Sequence, residues 1–291
     1  MASSVKKVPV RRVTLDEQLS KVPRHFSVEG DLLLSHLTAG LSALFPEGEE
    51  FFVRSVRRYR DRVRDPVLAR QVAGFIGQEA VHGREHRVFN DRLGDLGYPT
   101  KSFERLTGRI LRLLERISPP IANLATTAAV EHFTATLAEV VLTSEDGDFP
   151  GEGGQFNEQA VRDLFVWHAL EESEHKAVAF DVYRAVGGPE WLRIWTMKMV
   201  RVGFVALMVV QMVVSLLKDR ASWKGGALRA SWSRFRSAPI MQREVWHELH
   251  DYDRRGFHPY DRDTLALEET WRERLFGAEG TMSSYVRGWV A

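Results

Sequence analysis

Two segments of this chain carry the same four-residue pattern, Glu-x-x-His, on helical stripes that are otherwise apolar, and few folds accommodate that. In residues 167–176, W-H-A-L-E-E-S-E-H-K, His168, Glu172 and His175 fall at i, i+4 and i+7. They therefore share one face of a helix with 3.6 residues per turn. Val161, Phe165, Val178, Ala179 and Val182 continue that stripe. In residues 78–86, Q-E-A-V-H-G-R-E-H, Glu79, His82 and His86 fall at i, i+3 and i+7, alongside Val72, Phe75, Ile76 and Phe89. Carboxylates and imidazoles on the buried side of a helix are costly to desolvate unless something pairs with them. A metal ion is the simplest partner for both groups at once.

One Glu-x-x-His occurs by chance on many solvated helices; two on apolar stripes, with further glutamates in the right chain order, are specific. Pro46 can open a helix in its first turn. Counting from Glu49, positions i+3, i+4 and i+7 are Phe52, Val53 and Val56, an apolar face, whereas from Glu50 they are Val53, Arg54 and Arg57. Glu49 is thus the inward carboxylate; the competing reading is an exposed first-turn acid favoured by the helix dipole. Glu131 lies among Leu124, Thr127, Ala128, Thr134, Ala135 and Ala138, a lone acid with small neighbours and free space beside it. The competing reading is a hydrogen-bonded acid in close helix packing. Glu139 is a weaker candidate, and His132 points about a quarter-turn aside.

Composition narrows the chemistry. The 291 residues contain no cysteine, so a metal must be held by carboxylate and imidazole. The net charge of +1 gives no argument for nucleic acid, and the basic runs at residues 6–12 and 54–64 read as solvated faces. The first ten residues lack an apolar signal core, which points to the cytoplasm.

The chain divides into an extended polar arm (1–27), a metal-binding four-helix bundle with a crossover helix (28–186), an apolar helix (187–220), and C-terminal helices with a tail (221–291). Within the bundle, helices are expected over 32–44, from Pro46 to the Asp65-Pro66 break, and over 66–93, 100–117, 121–142 and 157–186, with a flexible acidic loop at 147–154. Residues 202–217 carry no charge. They read as a buried core helix, a membrane-embedded or monotopic helix, or an oligomer interface; sixteen residues are short for a full crossing. His247, His250 and His258 lie on no apolar stripe and read as surface or packing residues.

The segments F-P-E-G-E-E-F-F (45–52), F-I-G-Q-E-A-V-H-G-R-E-H (75–86), E-H-F-T-A (131–135), W-H-A-L-E-E-S-E-H-K-A-V-A-F-D-V-Y (167–183) and G-F-H-P (256–259) resemble a bacterial family of predicted metal-dependent hydrolases. The wider resemblance is to ferritin-like non-haem diiron carboxylate proteins, in which two helices give Glu-x-x-His and two others one Glu each. That resemblance implies an all-α fold, a ferritin-like four-helix bundle with additional helices at both ends. It implies Glu49, Glu79, His82, Glu131, Glu172 and His175 as metal ligands. His86 and His168 are additions to the simplest pattern and join the candidate set, as an extra histidine does in diiron arylamine N-oxygenases.

Two iron ions are the expected cofactors, with manganese or zinc as alternatives, because a histidine and carboxylate set with open positions suits these metals. The leading expectation is a diiron oxidase or oxygenase acting on a small apolar substrate in a pocket beside Ala128, Ala135 and Ala138. O2, an electron-donor protein, the inner face of a membrane and a second copy of the chain are the partners that reading brings. Glu131 and Glu171 are the candidate catalytic carboxylates, and Glu171 and Asp181 are candidate partners for ligand histidines. The alternative is a dinuclear hydrolase of esters or phosphates, with Arg84 and Arg87 the nearest candidates for an anion clamp. A third reading is a non-catalytic metal-binding or membrane-associated bundle.

Overall fold

The chain folds as an all-α protein with a single two-stranded sheet among the described residues; the computed structural model describes residues 8–143, 158–236 and 238–290. In chain order the elements are β1 (Val10–Val13), α1 (Asp16–Leu19), α2 (Leu32–Ser42), α3 (Phe45–Arg57), α4 (Pro66–Asp95), α5 (Thr100–Ile117) and α6 (Pro120–Thr143). There follow α7 (Gln159–His175), α8 (Val178–Ala185), α9 (Glu190–Lys218), α10 (Ala227–Phe235), α11 (Arg243–Asp251), α12 (Leu265–Phe276) and β2 (Val286–Val290).

Local chemistry sets the boundaries of the helices that matter. Asp31 accepts a hydrogen bond from the Leu34 amide at 3.0 Å and caps α2. Asp65 does the same for α4 through the Val67 amide at 2.8 Å, with Pro66 as the first helical residue, where its missing N–H costs nothing. Gly97, at φ +94°, turns the chain after α4, a conformation that only glycine adopts without strain. The α7 helix, expected to run on to Val186, stops at His175, and α8 starts at Val178. The acidic loop expected at 147–154 lies outside the described residues.

Four helices surround the predicted site: α3 packs on α4, α6 on α7, α3 on α6 and α4 on α7. One buried cluster contains Phe89, Leu164 and Trp167, and a second contains Phe51, Phe75, Phe133 and Tyr183. α5 lies against α3 and α4 and leaves Ile110, Leu113 and Ile117 exposed.

Residues 8–27 are not an extended polar arm. β1 pairs antiparallel with β2, Val10 opposite Val290, and Val13, Leu15, Leu19, Val22 and Phe26 enter the core. Arg11, part of a run expected to be solvated, is fully buried. β1 and the residues leading into it approach α4 at Gly77 and Gly74, where a Cβ would collide with Val10 Cγ2 and with the Val8 carbonyl oxygen.

α9 turns several polar residues inward and many apolar ones outward. Arg193, Thr196, Arg201, Gln211 and Ser215 are buried, while Trp191, Trp195, Val202, Val210, Val213 and Leu217 are exposed. Arg201 donates to the Leu249 carbonyl and to Asp253, both at 2.6 Å, and Arg193 reaches the carbonyls of Tyr252 and Arg254. The reading of residues 202–217 as a buried core helix therefore fails for the outer face. At 29 residues this is the one helix among those described that is long and apolar enough to cross a membrane.

Candidate metal centre

The four surrounding helices bring the predicted ligands to one place. α3 supplies Glu49, α4 supplies Glu79 and His82, α6 supplies Glu131, and α7 supplies His168, Glu172 and His175. All seven are buried. Their donor atoms form two groups, Glu49 with His82 and His168, and Glu79 with Glu172 and His175, each with donor atoms within 4.8 Å of one another. Glu131 Oε2 joins the second group, 3.2 Å from His175 Nε2. The two groups adjoin, because Glu172 Oε1 lies 2.9 Å from His168 Nε2 and 3.5 Å from His175 Nε2. Gly83 keeps α3 close: a Cβ there would sit 3.0 Å from Glu49 Oε2.

Both carboxylate oxygens of Glu49, Glu79 and Glu131, together with His82 Nδ1 and His175 Nε2, are buried without a hydrogen-bond partner. Eight such atoms converging in one interior are far outside the native norm, in which buried polar groups are satisfied. The electrostatics agree. Burial, with the neighbouring carboxylates of Glu172 and Glu131, drives Glu49 well above the usual carboxylate range; burial and Glu131 do the same for Glu79. Burial and Glu172 push Glu131 up to about 7. Glu172 goes the other way: burial opposes ionisation, yet His175 and His168 hold its carboxyl well below the usual range. Divalent cations would relieve both the missing partners and the carboxylate repulsion, so the donor set fits a metal.

Each of the three site histidines has its outer nitrogen engaged. His82 Nε2 meets Glu171 Oε2 at 2.9 Å, and His175 Nδ1 meets Gln78 Oε1 at 2.8 Å. His168 Nδ1 meets His86 Nε2 at 2.8 Å, His86 Nδ1 meets Ser42 Oγ at 2.9 Å, and Ser42 donates to Asn90 Oδ1 at 2.8 Å. That last series has one consistent direction, with each N–H or O–H donating outward; in that tautomer His168 turns an unprotonated Nε2 toward the donor groups, 2.9 Å from Glu172 Oε1, where an ion shared by the two would sit. His86 thus uses both nitrogens in orienting His168 and turns neither toward the donor groups. Burial and the nearby His168 push His86 well below the usual imidazole range, so it stays neutral, as the series requires.

Behind this layer stands Arg11. Its guanidinium donates to Glu171 Oε1 at 2.7 Å and to both oxygens of Glu174, each at 2.7 Å. Glu174 also accepts from Gln78 Nε2 at 3.1 Å. One buried cation therefore anchors the partners of both His82 and His175. Glu171, expected as a partner for a ligand histidine, does meet His82, but the sequence missed the rest of this layer: Gln78 and Glu174 lie in the motif segments, and nothing in the pattern separates them from solvated residues. Of the other expectations, Asp181 pairs with His258 at 2.8 Å and touches no site histidine. Arg84 pairs with Asp16 and Glu85, and Arg87 with Glu50, so no anion clamp forms.

A third group, His25, His36 and Asp219, also has metal-ligand spacing, but it lacks orphaned atoms. His25 and His36 both contact Asp219 Oδ2, at 2.8 and 3.0 Å, and the Arg24 guanidinium lies 3.3 Å from the same oxygen. His36 Nδ1 is met by Ser215 Oγ at 2.6 Å. This group satisfies itself.

A family model described as "Predicted metal-dependent hydrolase" matches residues 9–263. No curated protein and no solved structure matches the chain. The family match corrects the leading expectation of a diiron oxidase or oxygenase: the family is described as predicted metal-dependent hydrolases, not as oxidoreductases. The misreading has a physical source, since a histidine and carboxylate set serves O2 activation and hydrolysis alike.

Proposed function

Because the chain belongs to the family of predicted metal-dependent hydrolases, we propose that it is a dinuclear metal-dependent hydrolase. In this reading Glu49, His82 and His168 hold one divalent ion, and Glu79, Glu131, Glu172 and His175 hold a second. The observation that carries it is the convergence of eight buried, partnerless donor atoms from four helices. Manganese or zinc suits this ligand set in a hydrolase.

When bound, such a pair of ions lowers the pKa of water and polarises the group under attack. The chain's own residues do the rest. Glu171, Gln78 and His86 fix the orientation of His82, His175 and His168. Arg11 holds the carboxylates behind them, Glu171 and Glu174, in place. Thr134 donates to Glu172 Oε2 and so fixes a carboxylate at the edge of the cavity that reaches the site. The centre is buried and the cavity that reaches it is lined mostly by apolar side chains, which limits the water around it.

The test is metal content by elemental analysis after loading with manganese or zinc. The expected result is two ions per chain, and loss of at least one in Glu79→Ala and in His175→Ala, with helical circular dichroism retained. Retention of both ions by either folded variant overturns the ligand assignment.

A further inference from the structure

A cavity of about 380 Å³ runs from the centre to the surface. At its inner end stand His168, Glu172 and Thr134, all buried; at its outer end stand Val209, Val213 and Met241, all exposed. Its walls include Leu37 and Leu41 of α2, Leu137 and Ala138 of α6, and Phe204 and Met208 of α9. Ala138 is thus the member of the expected alanine trio that lines the cavity; Ala128 and Ala135 are buried elsewhere.

The lining carries almost no polar chemistry. Thr38, Thr134, His168, Glu172 and the Trp246 indole are its polar groups, and the indole N–H is already given to the Ile240 carbonyl at 2.7 Å. No lysine or arginine lines it. A phosphate would have to bring its charge along this wall with no side-chain cation to receive it, a heavy desolvation penalty. A neutral ester meets no such penalty, and an alkyl chain gains from every methylene that the wall takes from water. The size suits it as well, since small-molecule pockets run from about 300 to 1,000 Å³.

We propose that the substrate is a carboxylic ester whose apolar chain of medium length lies in this cavity, with the scissile carbonyl beside His168 and Glu172. The proposal rests on the hydrolase reading above. In the reaction the oxygen of water bonds to the carbonyl carbon, and the bond to the alcohol oxygen breaks with its electron pair passing to that oxygen. That oxygen takes one of the water protons, and the other stays with the new carboxylic acid or is released from it. No oxidant or reductant is consumed.

The experiment uses the full chain loaded with manganese or zinc and p-nitrophenyl esters from acetate to decanoate. The expected result is a rise in kcat/KM of about fourfold per methylene, the equivalent of ~0.8 kcal/mol, until the cavity is filled. Ala138→Phe fills the wall and should lower the decanoate-to-acetate ratio at least tenfold. Val209→Asp, at a position 55% exposed and so harmless to folding, places a charge at the mouth and should lower the same ratio. A ratio that does not change with chain length overturns the proposal.

A second measurement separates this failure from failure of the hydrolase reading. Displacement of the fluorescent probe N-phenyl-1-naphthylamine by 1-butanol, 1-hexanol and 1-octanol reads the cavity without turnover. Displacement that strengthens with chain length, together with no turnover of any ester, overturns the hydrolase chemistry alone. Displacement independent of length overturns the cavity's assignment whatever the turnover.

Discussion

Arg11→Met tests whether the N-terminal strand belongs to the metal centre. The guanidinium is fully buried and makes three hydrogen bonds of 2.7 Å to Glu171 and Glu174. Removing one partner of a buried ion pair leaves an uncompensated charge and costs about 3–5 kcal/mol. Here the lower end applies, because Glu171 keeps His82 and Glu174 keeps Gln78 and Arg272. About 3 kcal/mol corresponds to a fall in Tm of roughly 6–12 °C, taking ~2–4 °C per kcal/mol for a chain somewhat shorter than this one. The same change frees the carboxylates that orient His82 and, through Gln78, His175, and loss of such partners weakens metal binding by about 10–100-fold. Thermal unfolding followed at 222 nm reads the first effect, and calorimetric titration of manganese or zinc into chelator-treated protein reads the second. Combining Arg11→Met with Glu171→Gln should recover part of the stability, since one unpaired buried charge is gone, without restoring metal affinity. An Arg11→Met protein that unfolds within about 0.5 kcal/mol of the parent, the scatter of an ordinary surface substitution, and binds metal normally would refute the reasoning.

Two further outcomes follow from the packing and the titrating groups. Gly74→Ala should destabilise by about 1–3 kcal/mol through overpacking against the Val8 carbonyl, despite the usual helix gain. Gly203→Ala on α9, with nothing within 4 Å, should instead stabilise by roughly 0.5–1 kcal/mol; chemical denaturation of both checks the contrast, and equal effects would contradict the close approach of β1. Burial lowers His36 from 6.5 to about 4 against the opposing pull of Asp219. A depressed histidine favours the folded state when neutral, so this contribution is complete above about 6.5 and is lost as pH falls toward 4, about 2 kcal/mol being gone at pH 5. Urea unfolding between pH 5 and 7 should show a shallower pH dependence in His36→Gln than in the parent; identical slopes would remove His36 from the account.

What the sequence revealed and what it hid divide along a physical line. Side chains that face inward from a regular helix at 3.6-residue spacing were legible: Glu49 was distinguished from Glu50 by its apolar neighbours alone, and it is Glu49 that is buried while Glu50 pairs with Arg87 at the surface. The Asp65-Pro66 break also marked a true helix boundary, where Asp65 caps α4, because a cap acts within three residues of itself. Arg11 was invisible for the opposite reason. Its partners lie 160 and 163 residues away, and a lone arginine in a basic run has no local mark of burial. The same applies to α9, whose charge-free stretch fits a core helix, a membrane helix or an oligomer interface alike by hydropathy, and whose outer face is exposed; only the distant carbonyls that receive Arg193 and Arg201 reveal which side turns inward. His86 combines both cases. Its place on the inward stripe made it a ligand candidate, yet the stripe cannot distinguish a histidine that points at an ion from one that points at another histidine. The distinction comes from Ser42 on α2 and His168 on α7, which give His86 a partner for each nitrogen. The ligands of such a centre are therefore written in helical period, and the layer that orients them is written in tertiary contacts.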